Sequence, residues 1–203
     1  MHPWRERLAR WFTPLARRFP LSPNAITLIA LAINLVGATS LYLGSRRPIL
    51  FLVAIVFLTV GGLADALDGI VARVQEKSSR FGDFLDHVAD RISDTAIAAA
   101  WMMSSGVRPE LTLLATILVM LNGYIGTQIE ATWRERSYEG VGRGEFVLAF
   151  IVYPAVSYIL FSQGWNSTVL ALKITEWMTL LMIAAALLGI VQRLKLAARL
   201  ERS

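Results

Sequence analysis

The sequence predicts an all-α integral membrane protein with six transmembrane helices and an N-terminal amphipathic helix that lies in the membrane interface. Hydrophobic residues make up 55% of the 203-residue chain, and they gather in six long apolar runs. Each run approaches the roughly 20 residues that a helix needs to cross the hydrocarbon layer. The chain has no cysteine, which excludes disulfide and thiolate chemistry.

The distribution of basic residues predicts the orientation in the membrane. The predicted spans are 24–43, 49–73, 82–104, 111–132, 146–162 and 170–191. They place sixteen of the 20 Lys and Arg residues on one side, and on the other only Arg46, Arg47, Arg108 and Lys173. Because cytosolic loops are enriched in basic residues, we expect a multi-pass protein of the cell membrane with both termini cytosolic. The net charge of +5 is mostly this topology signal, and we expect no nucleic-acid partner.

Residues 1–20 have the pattern of a helix that lies on a membrane. Bulky apolar residues recur at roughly helical spacing with arginines between them: Trp4, Leu8, Trp11, Phe12, Leu15 and Phe19. Such a helix lies among the headgroups, with its arginines on anionic lipids. A partly ordered basic arm is the alternative. We therefore divide the chain into a juxtamembrane helix, 1–20, and a six-helix transmembrane domain, 21–203, with Ser22 as the N-cap of the first span.

Four aspartates, Asp65, Asp68, Asp86 and Asp90, interrupt the second and third spans. A charged side chain at mid-bilayer costs roughly 2.5–3.5 kcal/mol. Spacings of three and four residues put each pair on one helix face. In an antiparallel hairpin, residues whose numbers share a constant sum lie level. Asp65 and Asp90 sum to 155, and Asp68 and Asp86 sum to 154, so we expect all four carboxylates to converge near the cytosolic turn.

Converging carboxylates need a cationic counter-charge. Their hard oxygen ligands suit Mg²⁺ or Mn²⁺ and, less specifically, Ca²⁺. Two divalent ions would balance four charges, and two ions about 4 Å apart form the clamp used for displacement at phosphorus. Gly69 and Gly82 leave room beside the cluster, and Arg73 has a fork suited to a phosphate.

The aspartates belong to a longer pattern, Asp65-x-x-Asp68-Gly69-x-x-Ala72-Arg73, eight residues, then Gly82-x-x-x-Asp86-x-x-x-Asp90. All eight positions match the signature of the CDP-alcohol phosphotransferase family, which this chain resembles. The opening segment SPNAITLIALAINLVGA is similar to the family's usual first span, and the six-helix layout extends the resemblance over nearly the whole chain.

The resemblance implies transfer of a substituted phosphate from a CDP-linked lipid to a polar alcohol, with release of CMP. It implies metal ligands at Asp65, Asp68 and Asp86, and Asp90 as both a ligand and the general base toward the acceptor hydroxyl. Positions associated with the CDP moiety are Asp65, Gly69, Ala72, Arg73 and Gly82. By the same analogy we expect a homodimer surrounded by membrane lipids.

The signature leaves the acceptor open. Arg134, Arg136 and Arg143 precede the fifth span and are candidates for a phosphorylated acceptor, although the positive-inside rule alone would also explain them. The stretch GVGRGEF partly resembles inositol-phosphate-using members of the family. We expect inositol phosphate first, glycerol 3-phosphate second, and keep serine as a third candidate. Acyl and ether lipid donors are equally compatible with the sequence.

A divalent-cation transporter is the alternative from another functional class, since intramembrane carboxylates also mark ion paths. It would need polar residues through the full thickness of the bundle, whereas here they cluster at one end.

Other polar residues near the cluster have open roles. Asp83 and Asp94 continue the stripe of Asp86 and Asp90. They either assist the site or form salt bridges, for which Arg80, Arg91 and Arg134 are possible partners. His87 is expected to pack rather than to bind a metal. In the fourth span, Asn122, Thr127, Gln128 and Glu130 either hydrogen-bond to neighbouring helices or line a polar cavity.

Overall fold

The computed structural model describes residues 13–14, 16–134 and 143–202, with residues 143–145 described by their backbone alone. Within these residues the fold is all-helical apart from one small hairpin. The helices are α1 (Pro23–Tyr42), α2 (Ile49–Val74), α3 (Arg80–Ser104), α4 (Pro109–Trp133), α5 (Arg143–Ser162) and α6 (Ile174–Leu200). Strands β1 (Thr168–Val169) and β2 (Leu172–Lys173) pair antiparallel before α6.

Local sequence signals define the helix ends beside the aspartates. The Ser22 hydroxyl accepts a hydrogen bond from the Ala25 amide at 3.3 Å, which confirms the predicted cap of α1. The Ser79 hydroxyl accepts from the Gly82 amide at 3.0 Å and caps α3 in the same way. Side-chain oxygens satisfy amides that have no partner within the first helical turn. Both caps fix the ends of helices that carry functional side chains.

The six predicted apolar segments all fold as helices, although their membrane character differs. Helices α1, α2, α4 and α6 are long and apolar enough to cross a membrane. Helix α3 is long enough but carries the aspartates, and the apolar part of α5 is the shorter stretch Phe146–Ser162. The predicted start of the last span at residue 170 is wrong. Residues 168–173 form the hairpin, and α6 begins at Ile174, where Glu176 accepts a hydrogen bond from the Lys173 amide.

Polar contacts join α4 to α6 at two levels. The Arg108 guanidinium donates to Glu176 at 2.8 Å near one end, and that of Arg193 donates to the Asn122 side chain at 2.9 Å toward the other. Helix α1 packs against both α2 and α3, and α5 packs chiefly against α2. Helices α2 and α3 thus share α1 as a neighbour.

The largest buried side chain, Trp101 of α3, occupies the core at the end away from the aspartates. Its indole donates to the Ser157 hydroxyl of α5 at 2.8 Å, and its ring centroid lies 5.0 Å from that of Tyr153. A smaller apolar cluster lies beside the aspartates and includes Ala16. Gln75 donates to the Ala16 and Phe19 carbonyls, so this N-terminal segment is joined to the end of α2. The predicted interfacial helix lies mostly outside the described residues.

Close packing of α1 on α2 depends on Gly61. A Cβ at this position would overlap with Oδ1 of Asn34 and lie 2.7 Å from its Cγ. Asn34 is buried, and its side-chain amide donates to Ser93 of α3 at 3.4 Å. A short, buried and hydrogen-bonded side chain has little room to move aside.

We predict that Gly61→Ala lowers the free energy of unfolding by about 1–3 kcal/mol, because the added methyl overpacks the α1–α2 contact. The matched control is Gly62→Ala on the same helix, where a Cβ would meet nothing within 4 Å. Thermal unfolding in detergent measures both variants. Equal midpoints for the two alanine variants would contradict the packing interpretation.

Candidate active site

A cavity of about 520 Å³ opens where α1 begins, α2 ends and α3 begins. Seven of the eight signature residues line it. They are Asp65, Asp68, Gly69, Ala72 and Arg73 of α2, and Gly82 and Asp86 of α3. The first turns of α1 contribute Pro23, Asn24 and Thr27. The cavity is therefore the place where the predicted metal and CDP positions meet, with the exception of Asp90.

Three of the four aspartates converge in this cavity. Oxygen atoms of Asp65, Asp68 and Asp86 all lie within 4.8 Å of one another. Asp68 is 6% exposed, and the other two are half-buried. Hard oxygen donors at this separation fit Mg²⁺ or Mn²⁺ after a small closure, since such ligands stand 2.0–2.1 Å from Mg²⁺. Three carboxylates this close together also favour a bound cation on electrostatic grounds.

Thr27 is a residue of this site that the sequence prediction missed. Its hydroxyl lies 2.5 Å from Oδ2 of Asp68 and donates to that carboxylate, with the Pro23 carbonyl 3.1 Å away as a second acceptor. The contact ties α1 to the metal-ligand candidate on α2. A hydroxyl on the polar first turns of an otherwise apolar helix was the available signal, but its partner lies 41 residues away.

Asp90 lies one turn beyond Asp86 on α3 and is 6% exposed. Among the described residues, the group of carboxylates whose oxygens lie within 4.8 Å of one another contains Asp65, Asp68 and Asp86 but not Asp90. Its Oδ2 lies 3.7 Å from Nη2 of Arg91, and the same nitrogen lies 3.9 Å from Oδ2 of Asp94. Asp94 therefore takes part in a salt bridge, with Arg91 as its partner.

The residues predicted to contact the CDP moiety line the cavity. A Cβ on Gly82 would lie 3.0 Å from Oδ1 of Asn24, so this glycine keeps the α1–α3 wall open. Arg73 is exposed on the last turn of α2, and Lys77 follows in the turn. Both line the cavity, which gives it two cations suited to phosphate groups. Lys77 was not among the residues predicted from the sequence.

Asp83 and His87 form a separate group with Glu130 of α4. Nε2 of His87 lies 3.9 Å from a carboxylate oxygen of each. His87 is therefore a contact of Asp83 that the sequence did not predict. Because Asp83 also lines the cavity, this group places the end of α4 beside the site.

The three arginines proposed for the acceptor have different positions in the structure. Arg134 is exposed and ends α4 in a left-handed conformation, with φ 57°. Arg136 lies outside the described residues. Arg143 begins α5, and its side chain is likewise outside the described part.

Of the fourth-span polar residues, Asn122 and Glu130 contact neighbouring helices, as one of the two proposed roles required. Asn122 is buried and accepts from Arg193 of α6, so it joins two helices. Thr127 and Gln128 bond within α4. Arg193, half-buried next to Gly126, is a further cation near this end of the bundle that the sequence prediction did not single out.

Comparisons with known proteins support the family resemblance. The family model described as CDP-alcohol phosphatidyltransferase matches residues 20–192. The chain is 30% identical to an archaetidylinositol phosphate synthase of Pyrococcus horikoshii over 148 residues, 72% of this chain and 74% of the relative. It is also 30% identical to a phosphatidylinositol phosphate synthase of Mycobacterium tuberculosis over 200 residues, covering 94% of this chain and 87% of the relative.

Solved structures of the Mycobacterium tuberculosis phosphatidylinositol phosphate synthase share the fold. The complex with manganese and citrate superposes with a TM-score of 0.68 at 24% identity, covering 91% of this chain and 88% of that one. The complex with CDP-DAG gives a TM-score of 0.67 at 23% identity, covering 93% and 94%. The enzyme interpretation is confirmed over the transporter alternative: the chain belongs to the CDP-alcohol phosphatidyltransferase family, whose members are membrane transferases of phospholipid synthesis.

Proposed function

We propose that this enzyme transfers a phosphatidyl-type group from a CDP-linked lipid to inositol phosphate and releases CMP. The observation that carries the proposal is the convergence of Asp65, Asp68 and Asp86 in a cavity that also contains Arg73 and Lys77. Carboxylates for a divalent cation and cations for phosphate groups are what a diphosphate-linked donor requires. Diacyl and dialkyl donors both remain within the proposal.

The residues of the cavity divide the work. Asp65, Asp68 and Asp86 would hold the divalent cation, and we propose two ions with Asp90 as a further ligand. Bound Mg²⁺ or Mn²⁺ supplies polarisation of the diphosphate and neutralises developing charge. Arg73 orients a phosphate of the CDP moiety, and Gly69 and Gly82 leave room for the nucleotide. A carboxylate oxygen of Asp90 accepts the proton of the acceptor hydroxyl. The hydroxyl oxygen attacks the phosphorus that carries the lipid, and the bond from that phosphorus to CMP breaks as CMP leaves.

The proposal that the acceptor is phosphorylated rests on basic residues at one end of the bundle. Arg134 follows Glu130, which meets His87 and Asp83 at the edge of the cavity. Arg136 and Arg143 lie in the same stretch of sequence, and Arg193 reaches α4 from α6. A phosphorylated acceptor is favoured by this surplus of positive charge. The names of the two relatives support inositol phosphate over glycerol 3-phosphate. Serine, without a phosphate, is the weakest of the three candidates.

The arrangement in the membrane is part of the proposal. We propose that all six helices span the bilayer, that residues 1–20 lie in the interface, and that the termini and the cavity face the cytosol. The apolar chains of the donor then stay among membrane lipids while a polar acceptor arrives from water. We also propose a homodimer, by analogy with the family.

The decisive experiment measures CMP release. Purified protein is incubated with Mg²⁺ and CDP-diacylglycerol, or its ether analogue, together with inositol phosphate, glycerol 3-phosphate or serine. We expect release with inositol phosphate to exceed that with the other acceptors, and Asp68→Asn to abolish it. Release with none of the acceptors would reject the proposal, and a preference for glycerol 3-phosphate would transfer it to the second candidate.

Thr27 provides a test of the metal ligands. Thr27→Val removes the hydrogen bond to Asp68 while keeping the shape of the side chain, and we expect Mn²⁺ affinity to fall about 10–100-fold. Isothermal calorimetry in detergent measures the affinity. Thr39→Val is the matched control, because the Thr39 hydroxyl donates to the Leu35 carbonyl on the exposed side of the same helix. Unchanged Mn²⁺ affinity in Thr27→Val would remove Thr27 from the site.

The arginines test the acceptor assignment. Loss of a charge-assisted contact to phosphate costs about 1.5–3 kcal/mol, so replacing a binding arginine by glutamine should raise the KM for inositol phosphate at least tenfold. The variants are Arg134→Gln, Arg136→Gln and Arg143→Gln, and the donor KM should stay within twofold. Arg46→Gln and Arg47→Gln at the other end of the bundle are the controls. An unchanged KM in all three variants would mean that these arginines act only in membrane orientation.

A further inference from the structure

We propose that Arg91 is a positioning residue for Asp90, and that its guanidinium is held in the space beside the backbone of Gly123 of α4. The inference rests on the proposed function, in which Asp90 accepts the proton of the acceptor hydroxyl. It assigns a role to the Asp90–Arg91–Asp94 group, which lies outside the eight-residue signature except for Asp90 itself.

The geometry places one guanidinium nitrogen between two buried carboxylates. Nη2 of Arg91 lies 3.7 Å from Oδ2 of Asp90 and 3.9 Å from Oδ2 of Asp94. Both aspartates are 6% exposed, and they lie one helical turn apart on α3. A charge shared between them restrains the rotamers of both, because a move by either carboxylate lengthens its contact with the guanidinium.

Gly123 creates the space in which this guanidinium lies. A Cβ there would overlap with Nη1 of Arg91 and lie 2.5 Å from its Cζ. The guanidinium therefore occupies the volume that a side chain on α4 would fill. Through this contact the orientation of Asp90 on α3 depends on the position of α4, which also carries Arg134 and Glu130.

The buried Nε of Arg91 indicates that this side chain serves function rather than stability. Its Nε is buried and, within the described part of the chain, has no hydrogen-bond partner. Burying a donor in this state destabilises a fold, and a buried ion pair is weak evidence for stability. A guanidinium kept here despite that cost is better explained by what it does to Asp90, whose carboxylate must meet the acceptor hydroxyl within hydrogen-bond range.

The experiment displaces the guanidinium without changing any charge. Gly123→Ala leaves Arg91, Asp90 and Asp94 in the chain. The added methyl fills the space that the guanidinium occupies, so the flexible end of Arg91 has to move. We expect kcat for CMP release to fall about 10²-fold, as for a small misplacement of a catalytic group. The KM for the CDP-linked lipid should stay within threefold, with the thermal midpoint close to that of the unaltered enzyme.

Two further variants and one control complete the test. Arg91→Met removes the charge and should lower kcat at least as far, whereas Arg91→Lys should recover part of the loss. Gly62→Ala, which adds a methyl where nothing lies within 4 Å, controls for the effect of alanine in a helix. The unaltered enzyme in the same assay reports on the proposed function separately.

Two results would overturn the inference. One is a kcat within twofold of the unaltered enzyme in both Gly123→Ala and Arg91→Met. The other is a loss of kcat in both variants together with a comparable rise in the KM for the CDP-linked lipid and a lower thermal midpoint, because that pattern describes a structural salt bridge. If the unaltered enzyme releases no CMP with any acceptor, the proposed function fails first, and the positioning role falls with it.

Discussion

The repulsion among three converging carboxylates is the constraint on which the rest of the structure depends. Asp65, Asp68 and Asp86 lie within helices that are apolar for much of their length, in a cavity at one end of the bundle. Charges in such a place need a cation or a strong donor beside them. The fold supplies the Thr27 hydroxyl within the site and leaves a geometry suited to a divalent ion. A cation bound there, together with Arg73 and Lys77 on the cavity wall, would suit a diphosphate.

Helix α1 has more than an anchoring role. It packs against both helices that carry the aspartates, and its first turns line the cavity. The Ser22 cap fixes where the helix starts, and that start determines where Thr27 meets Asp68. Farther along, Asn34 fits against Gly61 and donates to Ser93, so all three helices are held in register by polar contacts. Close packing between these helices thus fixes the relative positions of the side chains in the site.

Helix α4 supports the other side of the site. His87 meets Glu130 near one end of the contact, and Arg91 rests over Gly123 farther along α3. On the opposite side, Arg193 of α6 donates to Asn122. The segment of α4 from Asn122 to Glu130 therefore joins α3 to α6 through charged and polar groups. If the acceptor binds at this end, α4 is the element through which its binding would reach Asp90.

The helices, the eight-residue signature and its resemblance to one family could be predicted from the sequence alone, because each depends on spacing along a single helix or across one short hairpin. The constant-sum argument brought Asp65, Asp68 and Asp86 together correctly. It did not separate Asp90, whose distance from the other oxygens depends on side-chain direction as well as on level. The partners of Thr27, Arg91 and Arg193 could not be predicted in this way, because they come from other helices and depend on how the helices pack. Periodicity records which face of a helix is polar, whereas the packing of neighbouring helices decides what that face meets.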